Sequence, residues 1–146
     1  VGQGRDKRRL MLIVEKKNLE KHVIFTDQAT GDEISDYYAA AHLVMFPAWK
    51  SEGFPVTPFE ALLMQVLPVV AKGSGASNVI EKEKIGLVAR PTVKDFSERI
   101  LEYLREPTKF EKLKTKGKSW VFANMHPDIF TQKNLEFYKS VLNPKR

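Results

Sequence analysis

Along the chain, short continuous hydrophobic runs alternate with longer stretches whose apolar residues recur every three or four positions. Leu10, Ile13 and Val14 are spaced for one face and predict a helix over Arg5 to Asn18. HVIFT, His22 to Thr26, is β-branched and aromatic and predicts a buried strand. A helix over Gly31 to Ala41 follows, with Ile34, Tyr37, Tyr38 and Ala41 on one side. LVMF, Leu43 to Phe46, predicts a strand closed by Pro47. Then come a helix over Thr57 to Val66, a strand over Pro68 to Ala71, a short helix over Ala76 to Glu81 and a strand over Ile85 to Ala89. Helices over Val93 to Arg105, Lys109 to Ala123 and Thr131 to Leu142 complete the chain. Continuous apolar strands separated by helices are the pattern of a parallel sheet covered on both faces, an open α/β fold. Ligands of such sheets bind beyond the carboxyl ends of the strands. That rule selects the loops Asp27 to Gly31, Pro47 to Pro58, Lys72 to Ala76 and Arg90 to Thr92.

The longest of these loops holds KSEGFPVTPFEALLMQ, in which Glu52 and Glu60 bracket a Gly/Pro turn just where a helix is predicted to begin. Two readings fit. In the first, Thr57 caps the helix, Pro58 takes its first position and Glu60 its third, which is the capping-box pattern, and Glu52 is only an exposed loop carboxylate. In the second, the loop is a ligand site. Gly53 lets the backbone approach a ligand closely, and amides at a helix start suit phosphate. A carboxylate on either side can accept hydrogen bonds from neighbouring hydroxyls, as on a sugar or a ribose. Together these describe a nucleotide-sugar.

Composition narrows the setting. The chain has 146 residues, for which one domain is the default, and no cysteine, so disulfides and thiolate metal sites are excluded. No apolar run reaches the ~18 residues that span a bilayer, and no signal peptide is recognisable. The three histidines have no metal-ligand spacing. His22 and His42 read as structural residues opening strands. The net charge of +6 gathers at Arg5 to Arg9, Lys16-Lys17, Lys109 to Lys118 and Lys145-Arg146. Most of this charge lies on predicted helices and reads as a solvated face, or as a face for a peripheral membrane contact. Nucleic acid is not expected, because no basic and aromatic residues interleave. VGQG at the start reads as the end of a strand and its turn, so a first strand and helix are expected upstream.

The segment FPAWKSEGFPVTPFEALLMQVLPVVA resembles the signature of the retaining glycosyltransferases of family 4, the group 1 glycosyltransferases. VGQG, VIFT, YYAAAHLVMFP and IGLVARP stand in that family's order and spacing, so the similarity runs from Val1 to about Leu142. The resemblance implies a Rossmann-like half of a two-Rossmann-domain enzyme, with residues 1–146 as the nucleotide-sugar-binding domain. It implies that Glu60 holds the ribose hydroxyls and Glu52 contacts the donor sugar. Backbone groups of Gly53, Phe54, Pro55, Val56 and Thr57 would touch sugar and diphosphate. Gln28 and Ala29 would lie against the base, and Lys72 is a candidate phosphate contact. The implied reaction is glycosyl transfer with retention from a nucleotide-sugar, with no cofactor and no metal ion. The protein's main task would be electrostatic stabilisation of the leaving diphosphate. The partners would be the donor and a missing N-terminal acceptor domain, without which this piece should be inactive. The location would be cytoplasmic, at the membrane surface.

The chain departs from the family pattern at several points. Pro55 and Leu67 replace glycines, Ala48 replaces a serine, and Asn78 stands near a usual glutamate. The family's diphosphate-clamping Arg and Lys would lie upstream of Val1. These departures support the alternative of a catalytically inactive α/β nucleotide-sugar-binding or regulatory domain. Trp49 reads as lining the cleft or packing, Tyr37 and Tyr38 as helix packing, and Trp120 and Phe122 as core.

Overall fold

A computed structural model describes residues 1–48 and 53–143. The chain divides into two compact units, Val1–Tyr37 and Tyr38–Arg146. In the first unit, α1 (Lys7–Lys16) is shorter at both ends than the predicted helix, and Asn18 turns left-handed just beyond it at φ 53°. Lys7 and Asp27 pair at 2.7 Å, and the Gly2 N–H donates to the Asp27 carbonyl at 3.2 Å. The strand predicted over His22 to Thr26 does not form. β-Branched composition favours a strand only where a neighbour completes the ladder, and Ile24 here is 85% exposed. His22 lies exposed in a turn rather than opening a buried strand.

The chain leaves the first unit through α2 (Asp32–Ala40), whose buried Tyr38 begins the second. The second unit is built on three parallel strands in the order β1 (Leu43–Phe46), β2 (Leu67–Ala71), β3 (Leu87–Ala89). Leu43 pairs with Leu67 and Phe46 with Val70, while Val69 pairs with Leu87 and Ala71 with Ala89. Every residue of the central strand is buried, which is why the sequence reads there as an unbroken apolar run. Full burial of Val69 and Val70 stabilises the fold by about 1.5–3 kcal/mol each. Alternate residues serve opposite faces. Val70 packs with Phe59, Leu62, Ile80, Ile85 and Val121 from α3 (Thr57–Leu63), α4 (Gly75–Glu83), the turn before β3 and α6 (Glu111–Met125). Val69 and Ala71 pack on Phe96 of α5 (Val93–Arg105), and Leu67 packs on Tyr103 and Phe110. The sheet is thus an open α/β sheet with helices on both faces.

Several boundaries move for identifiable reasons. α3 stops short of the predicted Val66 because Gln65 is left-handed at φ 57° and the Val66 N–H turns back to the Ala61 carbonyl at 2.8 Å. Lys84, at φ 53°, ends α4 in the same way, and Ile85 becomes a buried plug rather than the first residue of β3. A 3₁₀ turn, Pro107–Phe110, precedes α6. Trp120 packs on the core as expected, but Phe122 is 54% exposed and is not a core residue. α7 (Pro127–Leu142) buries none of its residues.

α5 matches its predicted span and is closed at its start by a box of side-chain bonds. The Asp95 N–H donates to Thr92 Oγ1 at 3.2 Å, and the Thr92 hydroxyl lies 3.3 Å from Asp95 Oδ1. Arg90 donates to both oxygens of Asp95 at 2.7 and 2.9 Å and holds that carboxyl below the usual carboxylate range. Thr92→Ala removes the cap and should cost about 1 kcal/mol, which lowers the melting temperature by about 3–4 °C in a calorimetric scan.

Candidate functional site

The carboxyl ends of the three strands release three loops on one edge of the second unit. The loop after β1 contains Pro47 and Ala48 and resumes at Gly53, the loop after β2 is Lys72 to Ser74, and the loop after β3 is Arg90 to Thr92. Glu52 and Trp49 lie outside the described residues. The first two loops meet. A Cβ built on Gly75 would lie 2.6 Å from the Gly53 carbonyl carbon and 3.1 Å from the Phe54 Cα, and would collide with the Gly53 carbonyl oxygen. Only glycine permits this approach of two backbones.

Each partner in the contact is held by its own surroundings. Phe54 stacks on Phe59 with centroids 5.1 Å apart, and Phe59 stacks on Trp120 at 5.9 Å. The aromatic column ties the end of the loop to α3 and α6, with Phe54 half exposed at its outer end. On the other side, Gly73 is left-handed at φ 92°. Its N–H donates to Ser77 Oγ at 3.1 Å, and the Ser77 hydroxyl donates to the Ser74 carbonyl at 2.7 Å. The turn into α4 is therefore closed by a buried serine that sequence reasoning had passed over.

The two readings of Glu60 can now be separated. The capping box does not form. The N-cap of α3 is Val56, already helical at φ −85° and ψ −25°, and no side chain caps it. Thr57 thus sits inside the helix, where its hydroxyl cannot serve as a cap. Glu60 is exposed in the first turn, and its Oε2 accepts a hydrogen bond from the Tyr38 hydroxyl at 3.0 Å. Tyr38 is 7% exposed, and its burial, with the carboxylate beside it, pushes its phenol well above the usual tyrosine range. The phenol therefore stays protonated at any working pH and always donates. The sequence pattern offers Tyr38 only as a helix-packing residue. Its partner lies 22 positions away, beyond the reach of any local pattern.

The other predicted contacts are placed as follows. Gly53, Phe54 and Val56 are exposed, Thr57 is half-buried, and Pro55 is buried. Lys72 is exposed at the end of β2, with its backbone N–H bonded to the Ala89 carbonyl at 2.7 Å. Gln28 is exposed and Ala29 half-buried, both in the first unit. Asn78 is exposed on α4. Among the described residues no three acidic or histidine side chains gather to hold a metal ion. No described helix is long and apolar enough to cross a membrane.

A family model described as glycosyl transferases group 1 matches residues 1–120. The chain belongs to the group 1 glycosyltransferases. Among relatives of this glycosyltransferase chain is the human alpha-1,3/1,6-mannosyltransferase ALG2, 27% identical over 135 residues, covering 91% of this chain and 32% of that protein. The uncharacterized glycosyltransferase YqgM of Bacillus subtilis (strain 168) is 24% identical, covering 86% of this chain and 35% of that protein. Sucrose-phosphate synthase from Thermosynechococcus elongatus shares the fold at a TM-score of 0.82 and 21% identity, over 95% of this chain and 35% of that one. The Anabaena protein HepE, solved in complex with UDP, superposes at 0.78 with 23% identity, over 91% of this chain and 36% of that one. The chain spans about a third of the length of these proteins.

Proposed function

We propose that this chain supplies the nucleotide-sugar-binding half of a retaining glycosyltransferase, with Glu60 accepting hydrogen bonds from the ribose hydroxyls. The observation that carries the reading is the Glu60 carboxylate itself. It stands exposed in the first turn of α3 at the carboxyl edge of a parallel sheet, released from helix capping and held by a buried phenol. A carboxylate is an acceptor with about four lone-pair sites, so one hydrogen bond from Tyr38 leaves capacity for a vicinal diol. The neighbouring loop suits a diphosphate-linked sugar through its backbone. Pro55 and Pro58 have no N–H, so the amides of Gly53, Phe54, Val56 and Thr57 remain as donors. Lys72 on the next loop adds a positive charge, and Glu52 is assigned to the sugar hydroxyls. Gln28 and Ala29 are assigned to the base. The UDP held by the structurally similar HepE supports a nucleotide as the ligand class.

In this reading the transfer needs no strong protein acid or base. Preorganised dipoles stabilise the departing diphosphate, whose oxygens can take the acceptor's proton. The acceptor half lies in a further domain, and the basic helices face an anionic membrane surface. The test is calorimetric titration of the chain, in its full-length context, with UDP, GDP and ADP and their sugar conjugates. One nucleotide should bind, and Glu60→Ala should weaken it at least tenfold, about 1.4 kcal/mol, with the protein still folded. Binding that survives the substitution undiminished overturns the assignment of Glu60.

A further inference from the structure

We infer that Tyr38 is a positioning residue for the sugar donor: its hydroxyl fixes the Glu60 carboxylate toward the ribose and thereby sets discrimination between ribonucleotides and 2′-deoxyribonucleotides. The inference rests on the reading of Glu60 given above and adds to it a residue that touches no ligand.

The argument begins with exposure. Glu60 is exposed, and an exposed glutamate distributes among many rotamers. Ordering such a side chain costs conformational entropy, and a ligand that needs it in one orientation bears that cost on binding. Tyr38 removes most of it in advance. The tyrosine is 7% exposed and has little rotamer freedom of its own, and its hydroxyl lies 3.0 Å from Glu60 Oε2. The acceptor is a carboxylate, and hydrogen bonds to charged acceptors are stronger than neutral ones, so the phenol favours one orientation of Glu60. Because the phenol does not ionise at working pH, it cannot turn into a second anion that repels Glu60.

The consequence is a division of labour between the two oxygens. Oε2 is committed to the phenol, and among the described residues Oε1 has no partner. A ribose presents two adjacent hydroxyls to a carboxylate, whereas a 2′-deoxyribose presents one. An oriented carboxylate gains from both hydroxyls, and a mobile one loses that gain to ordering. Tyr38 should therefore matter more for the ribose form than for the deoxy form. Its neighbour Tyr37 is 42% exposed and makes no side-chain hydrogen bond among the described residues, so it serves as an internal control.

The experiment titrates UDP, GDP and ADP, each with its 2′-deoxy counterpart, against the full-length protein and four variants. Tyr38→Phe keeps the buried ring and removes only the hydroxyl. It should weaken the ribonucleotide about tenfold and the 2′-deoxy form clearly less, while Tyr37→Phe changes neither. In a Glu60→Ala background, adding Tyr38→Phe should have no further effect on the ribonucleotide. Equal weakening of both sugar forms by Tyr38→Phe would mean a packing role only and would overturn the inference. So would no weakening of either, or an additive double variant. If Glu60→Ala collapses the ribose preference while Tyr38→Phe preserves it, the positioning role fails and the Glu60 assignment stands. If Glu60→Ala also leaves the preference intact, the assignment of Glu60 fails first and this inference with it.

Discussion

Gly75→Ala should reduce affinity for the proposed nucleotide ligand by at least tenfold while the chain stays folded. The reason lies in what the added methyl meets. It would overlap the Gly53 carbonyl oxygen and approach the Phe54 Cα to 3.1 Å. These are backbone atoms, so no rotamer change relieves the clash. One of the two loops must move. α4 is fixed by Ala76, Ser77 and Ile80, each at most 1% exposed, and by the Ser77 bonds that close its first turn. Among the described residues, Gly53 is exposed and its loop is anchored by the stack of half-exposed Phe54 on Phe59 and by buried Pro55. The loop should therefore yield, carrying the Gly53 and Phe54 amides away from the positions proposed to contact the sugar and diphosphate. Overpacking of this kind costs about 1–3 kcal/mol in stability. Titration and a thermal scan on the same variant test both parts. An unchanged affinity would mean that the Gly53 loop takes no part in binding.

How far the site was legible in the sequence depends on how local its determinants are. Val69 and Val70 announced a central strand because burial on both faces demands an unbroken apolar run. Val23 to Phe25 have the same composition and form no strand, since a ladder needs a partner that composition does not specify. Two stretches carry the capping-box signature, Thr57 with Glu60 and Thr92 with Asp95. Neither forms the full reciprocal box, since the Thr92 N–H goes to the Arg90 carbonyl, but at the second the Thr92 hydroxyl does take the Asp95 N–H. Thr92 is extended at φ −129° and ψ 148°, the geometry from which a hydroxyl can reach the third amide. At the other stretch Val56 is already helical, so Thr57 lies one step too far in. The proximity of Glu60 to a helix start was therefore legible, but its freedom from capping was not. The contacts of Glu60 with Tyr38 and of Gly75 with Gly53 join residues 22 apart in each case, across separate elements. Nothing in a local pattern encodes such pairs, yet they decide the shape of the site.

The largest stability effect is expected at Leu62, and its dependence on Gly117 tests how the site-bearing helix is seated. Leu62 is fully buried on α3, in the cluster with Phe59, Val70 and Ile80. Leu62→Ala should cost about 2–5 kcal/mol through lost burial and the cavity left behind. A Cβ at Gly117 of α6 would run into the Leu62 side chain, coming to 3.1 Å from Cδ1 and closer still to Cδ2. Gly117→Ala alone therefore sets an overpacking cost of about 1–3 kcal/mol against a gain of about 1 kcal/mol in helix propensity. With Leu62 already shortened, the clash is gone, the methyl fills part of the cavity, and the propensity gain remains. The double variant should thus be more stable than Leu62→Ala alone, with a coupling of roughly 1–3 kcal/mol by urea denaturation of the intact protein. Additive effects would mean that α3 and α6 do not meet at this pair. Positive coupling would mean that the α3 turn bearing Glu60 is positioned from behind, by the absence of a side chain at residue 117.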